Sequence, residues 1–207
     1  MTRRSTARHG AGRVRGDLGR GSADTPAGGP SGDGEVPAPL RRFRQLRPVP
    51  WATGAGVTRE VVSCHESQGL APDRPPWRLS IADLTGPGPF SRLPGITRTF
   101  VPIDSSVELR VDGEIHRVAA ATPFSFAGDS ETVLLRLATP CRAVNLMVDA
   151  GDSDPAELLP CRYPGLEFPT AAVVIALTAG RRTSRFDVWR PASALDGLGV
   201  RRWLAVR

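Results

Sequence analysis

The chain has 207 residues, and its 27 basic residues, all of them arginines, exceed its 21 acids to give a net charge of +6. Residues 1–47 hold ten arginines and four acids, whereas residues 48–207 hold 17 of each, so the excess charge belongs to the N-terminal region. A neutral body argues against a broad basic face for nucleic acid, and a chain without lysine has neither a Walker-type phosphate loop nor a Schiff-base lysine.

The first segment, residues 1–39, predicts a disordered tail, because it holds nine glycines and four prolines and shows no apolar periodicity. Residues 40–207 predict one domain that is large enough for a sizeable core. No apolar run in the sequence reaches the roughly 20 residues of a membrane-spanning helix. The three cysteines form an odd number without Cys-x-x-Cys spacing, which indicates reduced thiols in a cytoplasmic protein.

Residues 40–47 carry four arginines around Phe43. They have two interpretations: an arm that contacts nucleic acid or anionic lipid, or an edge strand that enters the domain with Phe43 inward. We favour the edge strand with its arginines solvated.

The following segments predict short β-strands. Residues 59–64 are rich in β-forming residues, and residues 77–82 alternate strictly between two faces. One face carries Trp77, Leu79 and Ile81, and the other carries Arg78, Ser80 and Ala82.

A hairpin is predicted where residues 107–111 and 114–118 flank Asp112-Gly113, a strong two-residue turn signal. Its register sets Val107 opposite Val118, Glu108 opposite Arg117 and His116 opposite Leu109.

Further strands are predicted at residues 98–103, 124–127, 132–138, 143–148, 171–177, 185–189 and 203–206. Only residues 155–159 and 192–198 suggest short helical turns. Many short strands separated by turn residues predict an all-β fold, a sandwich or jelly-roll barrel.

Several kinds of chemistry lack their usual residues. Two of the three histidines, His65 and His116, lie outside the predicted tail, and no His-x-His pair exists, so we expect no metal site. The acidic loop at 149–154 lacks the rest of a calcium-binding loop, and no Gly-x-Ser-x-Gly motif occurs.

Arginines and hydroxyl residues cluster in the first half of the chain. An inward arginine beside hydroxyls needs a partner. Glu60 or Asp129 could pair with it in a purely structural network, or the guanidinium could bind a ligand carboxylate. Spacing alone leaves both interpretations open and slightly favours the structural one.

These segments together resemble the HutD/Ves family of bacterial proteins. Besides Trp51, the matching segments are GAGVTRE at 54–60, WRLSIA at 77–82, GPFS at 88–91, PGITR at 94–98, PFSFAGD at 123–129 and NLM at 145–147.

The resemblance implies a metal-free cupin-type jelly roll of two fused halves, about 40–148 and 149–207, of which the second is reduced. It implies a regulatory role in histidine utilisation, with a formylglutamate-like ligand. The chain departs from the family at Thr53, where the family has Asn, and at Ala143, where it has Asp.

We therefore expect a non-enzymatic protein that binds a small acidic metabolite, has no cofactor, makes no membrane contact and is compatible with a homodimer. Arg59, Arg78 and Arg98 would anchor the carboxylate, while Glu60 would orient one of these arginines. The other predicted site residues, which supply hydrogen bonds or an apolar wall, are Thr58, Ser80, Ser91, Trp77 and Phe90.

Two alternatives remain open at the level of sequence. One is a metal-independent isomerase or hydrolase in which Glu60 or His116 acts as the base. The other is a regulator that contacts nucleic acid weakly through the arginine-rich tail.

Overall fold

The secondary structure is mostly β-strand in the computed structural model, which describes residues 38–51, 54 and 56–207. All but the last two residues of the predicted tail lie outside these ranges. The strands described are β1 Val49–Pro50, β2 Gly56–Val62, β3 Trp77–Leu84, β4 Gly88–Pro89, β5 Ile96–Pro102, β6 Val107–Val111, β7 Glu114–Val118, β8 Phe124–Ala127, β9 Thr132–Leu137, β10 Cys141–Asp149, β11 Leu158–Cys161, β12 Val173–Ala176, β13 Val188–Trp189 and β14 Trp203–Val206. The helices are α1 Cys64–Leu70, α2 Pro164–Glu167, and the 3-10 helices Phe43–Gln45 and Ser193–Leu198.

The strands form three sheets. The central sheet has the order β1-β2-β3-β10-β5-β8, the outer sheet β4-β9-β6-β7 and the C-terminal sheet β11-β14-β12-β13. Between β3 and β10 the chain passes back and forth between the central and outer sheets, as in a jelly roll. The predicted all-β jelly-roll class is confirmed, whereas the division into two cupin units stays a prediction.

The central sheet is covered on both faces. Side chains alternate along its strands, so each strand presents residues to both sides. On β3, Leu79 and Ile81 belong to an apolar cluster with Val173 and Ile175 of the C-terminal sheet. On the other face, Leu84 packs in a cluster that includes residues of the outer sheet. One strand therefore contributes to two cores.

Local signals predicted several elements well. The hairpin of β6 and β7 has the expected register, with Val107 opposite Val118. Glu108 and Arg117 lie 4.0 Å apart as the expected surface pair. The predicted bounds of β8 and β14 are also those of the structure.

Other expectations were wrong. Residues 155–159 do not form a helical turn, since β11 begins at Leu158 and pairs with β14. Residues 64–70 form a helix whose start is fixed by a capping box between Ser63 and Glu66.

The N-terminal segment 40–47 contains a 3-10 helix rather than the predicted edge strand. Phe43 nevertheless points inward and is 7% exposed. Its ring lies 5.2 Å from that of Phe186, and its N–H donates to Asp187. The segment is therefore held against the C-terminal half of the chain.

Charged side chains also join the N-terminal segment to the central sheet. Asp83 accepts hydrogen bonds from Arg59 at 2.5 Å and from Arg142 at 2.7 Å. The two guanidinium groups lie 4.9 and 5.3 Å from the ring centre of Phe43. These four residues are called the Asp83 cluster below.

No helix among the described residues is long and apolar enough to cross a membrane. The three cysteines are free thiols, with Cys64 exposed and Cys141 and Cys161 buried. Burial, with Glu167 and Asp196 nearby, raises the pKa of Cys161 to about 12. The thiol of Cys161 is therefore a poor nucleophile at neutral pH.

Asp83→Asn is expected to lower the free energy of unfolding by about 2 kcal/mol, because two arginines lose a charge-assisted partner. Urea denaturation measures the change. Glu157→Gln breaks the exposed Arg207–Glu157 pair of 3.0 Å and should have a smaller effect. Equal changes in the two variants would contradict a stabilising role for the Asp83 cluster.

Candidate functional site

A cavity of about 380 Å³ lies between the central sheet and the segment at residues 89–93. This volume is in the range of small-molecule sites. Its lining combines two arginines with hydroxyl, amide and aromatic groups. The lining residues are Pro50, Trp51, Thr58, Arg78, Ser80, Ala82, Leu84, Pro89, Phe90, Ser91, Leu93, Arg98, Phe100, Asn145 and Met147.

Strand register brings the polar groups of the cavity together. Asn145 of β10 lies opposite Ser80 on one side and Phe100 on the other. Met147 lies two residues further along the same face, between Arg78 and Arg98. Because residues two apart share a face, these six side chains form one floor.

Arg98 dominates the electrostatics of this floor. It is 6% exposed, and within the described ranges its side chain has neither a hydrogen bond nor an ion pair, including at the buried Nε. Burial, together with the charge of Arg78, lowers the pKa of Arg98 to about 10. The guanidinium therefore stays charged at neutral pH and lacks an anionic partner among the described residues.

Aromatic rings surround this charge. The Arg98 guanidinium carbon lies 5.3 Å from the ring centre of Phe90 and 5.8 Å from that of Phe126. Phe90 also contacts Phe100 at 5.5 Å and Trp51 at 6.5 Å, measured between ring centres. Cation–π contacts offset only part of the desolvation of a buried charge.

Two buried polar side chains line the same cavity as Arg98. Ser80 is 1% exposed and Asn145 is 7% exposed, and neither has a side-chain partner among the residues that the structure describes. Both can donate hydrogen bonds. Thr58 differs, because its hydroxyl accepts from the indole N–H of Trp51 at 2.6 Å. Trp51 and Thr58 therefore hold each other in the cavity wall.

The second arginine of the cavity is paired. Nε of Arg78 donates to Glu60 at 2.5 Å, and Nη1 lies 3.4 Å from the sulfur of Met147. Glu60 does not line the cavity, and its side chain is 48% exposed. Glu60 therefore contacts Arg78 from the rim, and its role in orienting an arginine for a ligand stays a prediction.

Two glycines allow close backbone contacts beside the cavity. A Cβ on Gly128 would lie 2.5 Å from the carbonyl of Leu93, and one on Gly56 would lie 2.4 Å from the carbonyl of Asp83. The backbone of Gly128 hydrogen-bonds to Leu93 and Ile96 and so fastens one end of the 89–93 segment. Larger residues would displace these neighbours.

Of the predicted site residues, Thr58, Arg78, Ser80, Phe90, Ser91 and Arg98 line the cavity. Arg59 and Trp77 do not, because alternation directs them to the opposite face of the central sheet. Arg59 joins the Asp83 cluster, and Trp77 is 1% exposed in the core against the C-terminal sheet. Neither can touch a ligand in this cavity.

Asn145, Met147 and Trp51 line the cavity but were not among the predicted site residues. A signal for Asn145 exists in the sequence, since it interrupts the apolar run at 143–148 and is therefore a buried amide. Thr53 lies outside the described residues. Ala143, the other departure from the family pattern, is fully buried in the apolar cluster beneath the outer sheet.

His116 lies away from the cavity. It is paired with Leu109 across the hairpin, its ring is 4.9 Å from that of Phe124, and its partner Glu114 is 3.8 Å away. The described residues contain no group of three or more His, Cys, Asp or Glu placed to hold a metal ion.

Two curated proteins are similar in sequence to this chain. A protein from the hutC 3′ region of Pseudomonas putida is 33% identical over 110 residues, covering 52% of this chain and 56% of that one. Protein Ves of Citrobacter koseri is 36% identical over 100 residues, covering 42% and 47%. The chain thus spans about half the length of these curated relatives.

Two solved structures share the fold. HutD from Pseudomonas fluorescens has a TM-score of 0.55 at 24% identity, covering 80% of this chain and 97% of that one. A conserved protein of unknown function from Pseudomonas aeruginosa has a TM-score of 0.60 at 28% identity, covering 80% and 90%. The HutD family profile matches residues 44–190, most of the described part of the chain. The protein belongs to the HutD family.

Proposed function

We propose that the protein binds a small carboxylate-bearing metabolite without transforming it. The observation that carries this proposal is Arg98, a buried cation that lacks a counter-ion among the described residues and faces a cavity of small-molecule size. An isolated buried charge is strongly unfavourable, and a carboxylate would supply the missing partner. Ser80 and Asn145 would donate hydrogen bonds to its oxygens, and Phe90 would cover the ligand body.

We infer that such binding serves a regulatory function in histidine utilisation and takes place in the cytoplasm. Membership of the HutD family and the similarity to a protein of the hutC 3′ region support the link to histidine utilisation. The first acids to test are formylglutamate, the ligand that the resemblance implies, and formylglutamine, its analogue with one carboxylate. A non-enzymatic role is favoured because, of the two candidate bases, His116 is not among the residues that line the cavity and Glu60 is paired with Arg78 at the rim.

Arg98→Met is expected to reduce the affinity for carboxylates at least 100-fold, because a hydrogen-bonded charge pair within a buried site contributes several kcal/mol. Isothermal titration calorimetry with formylglutamate, glutarate and their monoamides measures the affinity. Nuclear magnetic resonance of the recovered acid checks that it is unchanged.

Arg59→Met is the matched control, since it removes an arginine of the same sheet from the face that points away from the cavity. This control loses the Asp83 contact and some stability, but the folded variant should bind as the wild type does. Wild-type protein that binds none of the acids, or equal loss in both variants, would overturn the proposed function.

Arg98→Met should also stabilise the ligand-free protein, by about 3 kcal/mol at most. The folded-state pKa of about 10 lies below the ordinary 12.5, so the desolvation penalty is present below pH 10 and falls as the pH rises toward 12.5. Urea denaturation at pH 7 and pH 10.5 should show the advantage of the variant shrinking at the higher pH. A destabilised variant at pH 7 would show that Arg98 is a structural residue.

A further inference from the structure

We propose that Glu60 restricts the cavity to ligands with a single carboxylate, and is therefore the residue that sets its charge specificity. This inference rests on the proposed function, since it concerns the acid that the same cavity binds. The lining offers two arginines, but Glu60 neutralises one of them. The net charge open to a ligand is that of Arg98 alone.

The charge count depends on the groups that face the cavity floor. Among the described residues that line the cavity, the charged side chains are Arg78 and Arg98. Glu60 lies opposite Ser80 in the strand register, on the cavity side of β2, and contacts Arg78 at the rim. Asp83, the nearest other acid on these strands, is held by Arg59 and Arg142 on the opposite face. Strands β2 and β3 contain no other acid, so neither strand supplies a partner for Arg98.

A second ligand carboxylate has no good position in this arrangement. Arg78 is the remaining cation, but its Nε is already bound to Glu60, and its Nη1 contacts the sulfur of Met147. An incoming carboxylate would displace Glu60 or lie beside its negative charge. Like charges at such short range repel, and solvent at the half-exposed Glu60 screens part of this repulsion.

The rest of the lining matches an uncharged ligand body. Trp51, Phe90 and Phe100 are aromatic, and Leu84 and Leu93 are aliphatic. Thr58 supplies a hydroxyl that is already engaged by Trp51. The chemical class is therefore a monocarboxylate whose remaining groups are apolar or neutral and polar, and a dicarboxylate is disfavoured.

Matched acids test this inference. N-formylglutamate and N-formylglutamine differ by one charge with nearly the same shape, as do glutarate and its monoamide. For wild-type protein, calorimetry should give at least tenfold tighter binding of each monoanion. In Glu60→Gln, the dianions should gain about tenfold while the monoanions change less than threefold, because Arg78 becomes available. Glu157→Gln, which removes an exposed acid of the C-terminal half, should change neither.

The double variant Glu60→Gln/Arg78→Gln shows whether the gain depends on Arg78. It restores the single free charge of the wild type, so the dianions should lose the affinity that Glu60→Gln gave them. If Glu60→Gln folds poorly, the preference of the wild-type protein within each pair of acids still tests the inference.

Three results would overturn the inference. Equal wild-type affinity for the two members of each pair, or a Glu60→Gln preference like that of the wild type, would remove Glu60 from specificity but leave carboxylate binding intact. A gain that persists in the double variant would show that it does not act through Arg78. Absence of binding of all four acids to every variant would overturn the proposed function itself.

Discussion

The two-residue period of the central sheet determines the environment of each of its arginines. Successive side chains of a strand point to opposite faces. One face of this sheet packs against the C-terminal sheet, and the other faces the cavity and the outer sheet. Arg59 and Arg142 face one way and meet Asp83 and Phe43. Arg78 and Arg98 face the other way and line the cavity. The same residue type is thus divided between a structural cluster and a candidate binding site by position alone.

The two environments have opposite energetic consequences. In the Asp83 cluster, each guanidinium has a carboxylate partner and an aromatic ring, so it supports the contact between the central sheet and the N-terminal segment. Arg98 has aromatic neighbours but no anion among the described residues, and its lowered pKa reflects that deficit. Ligand binding would restore the missing partner. Stability and binding therefore place contrary demands on this side of the sheet, a conflict common at functional sites.

Sequence patterns predicted those features that depend on neighbouring residues. Asp112-Gly113 defined the hairpin and its register, and alternation defined the faces of β3. The predicted set of site residues was less accurate, because it contained both Trp77 and Arg78, which the same alternation places on opposite faces. The pairing of Arg59 with Asp83 joins strands β2 and β3 in a register that no local signal specifies. Asn145 entered the site for a similar reason, since its position depends on which strands flank β10.

Net charge describes a binding site poorly when the site is built from buried side chains. Residues 48–207 carry equal numbers of arginines and acids, yet their distribution leaves one cation in the cavity without a partner among the described residues. The charge near the cavity therefore differs from the net charge of these residues. Glu60 and Asp83 account for much of this difference, because they neutralise arginines on different faces of the central sheet. A substitution at either acid would alter the overall charge by the same single unit. Only the change at Glu60 would alter the charge that a ligand meets, since Asp83 acts on the far side of the sheet.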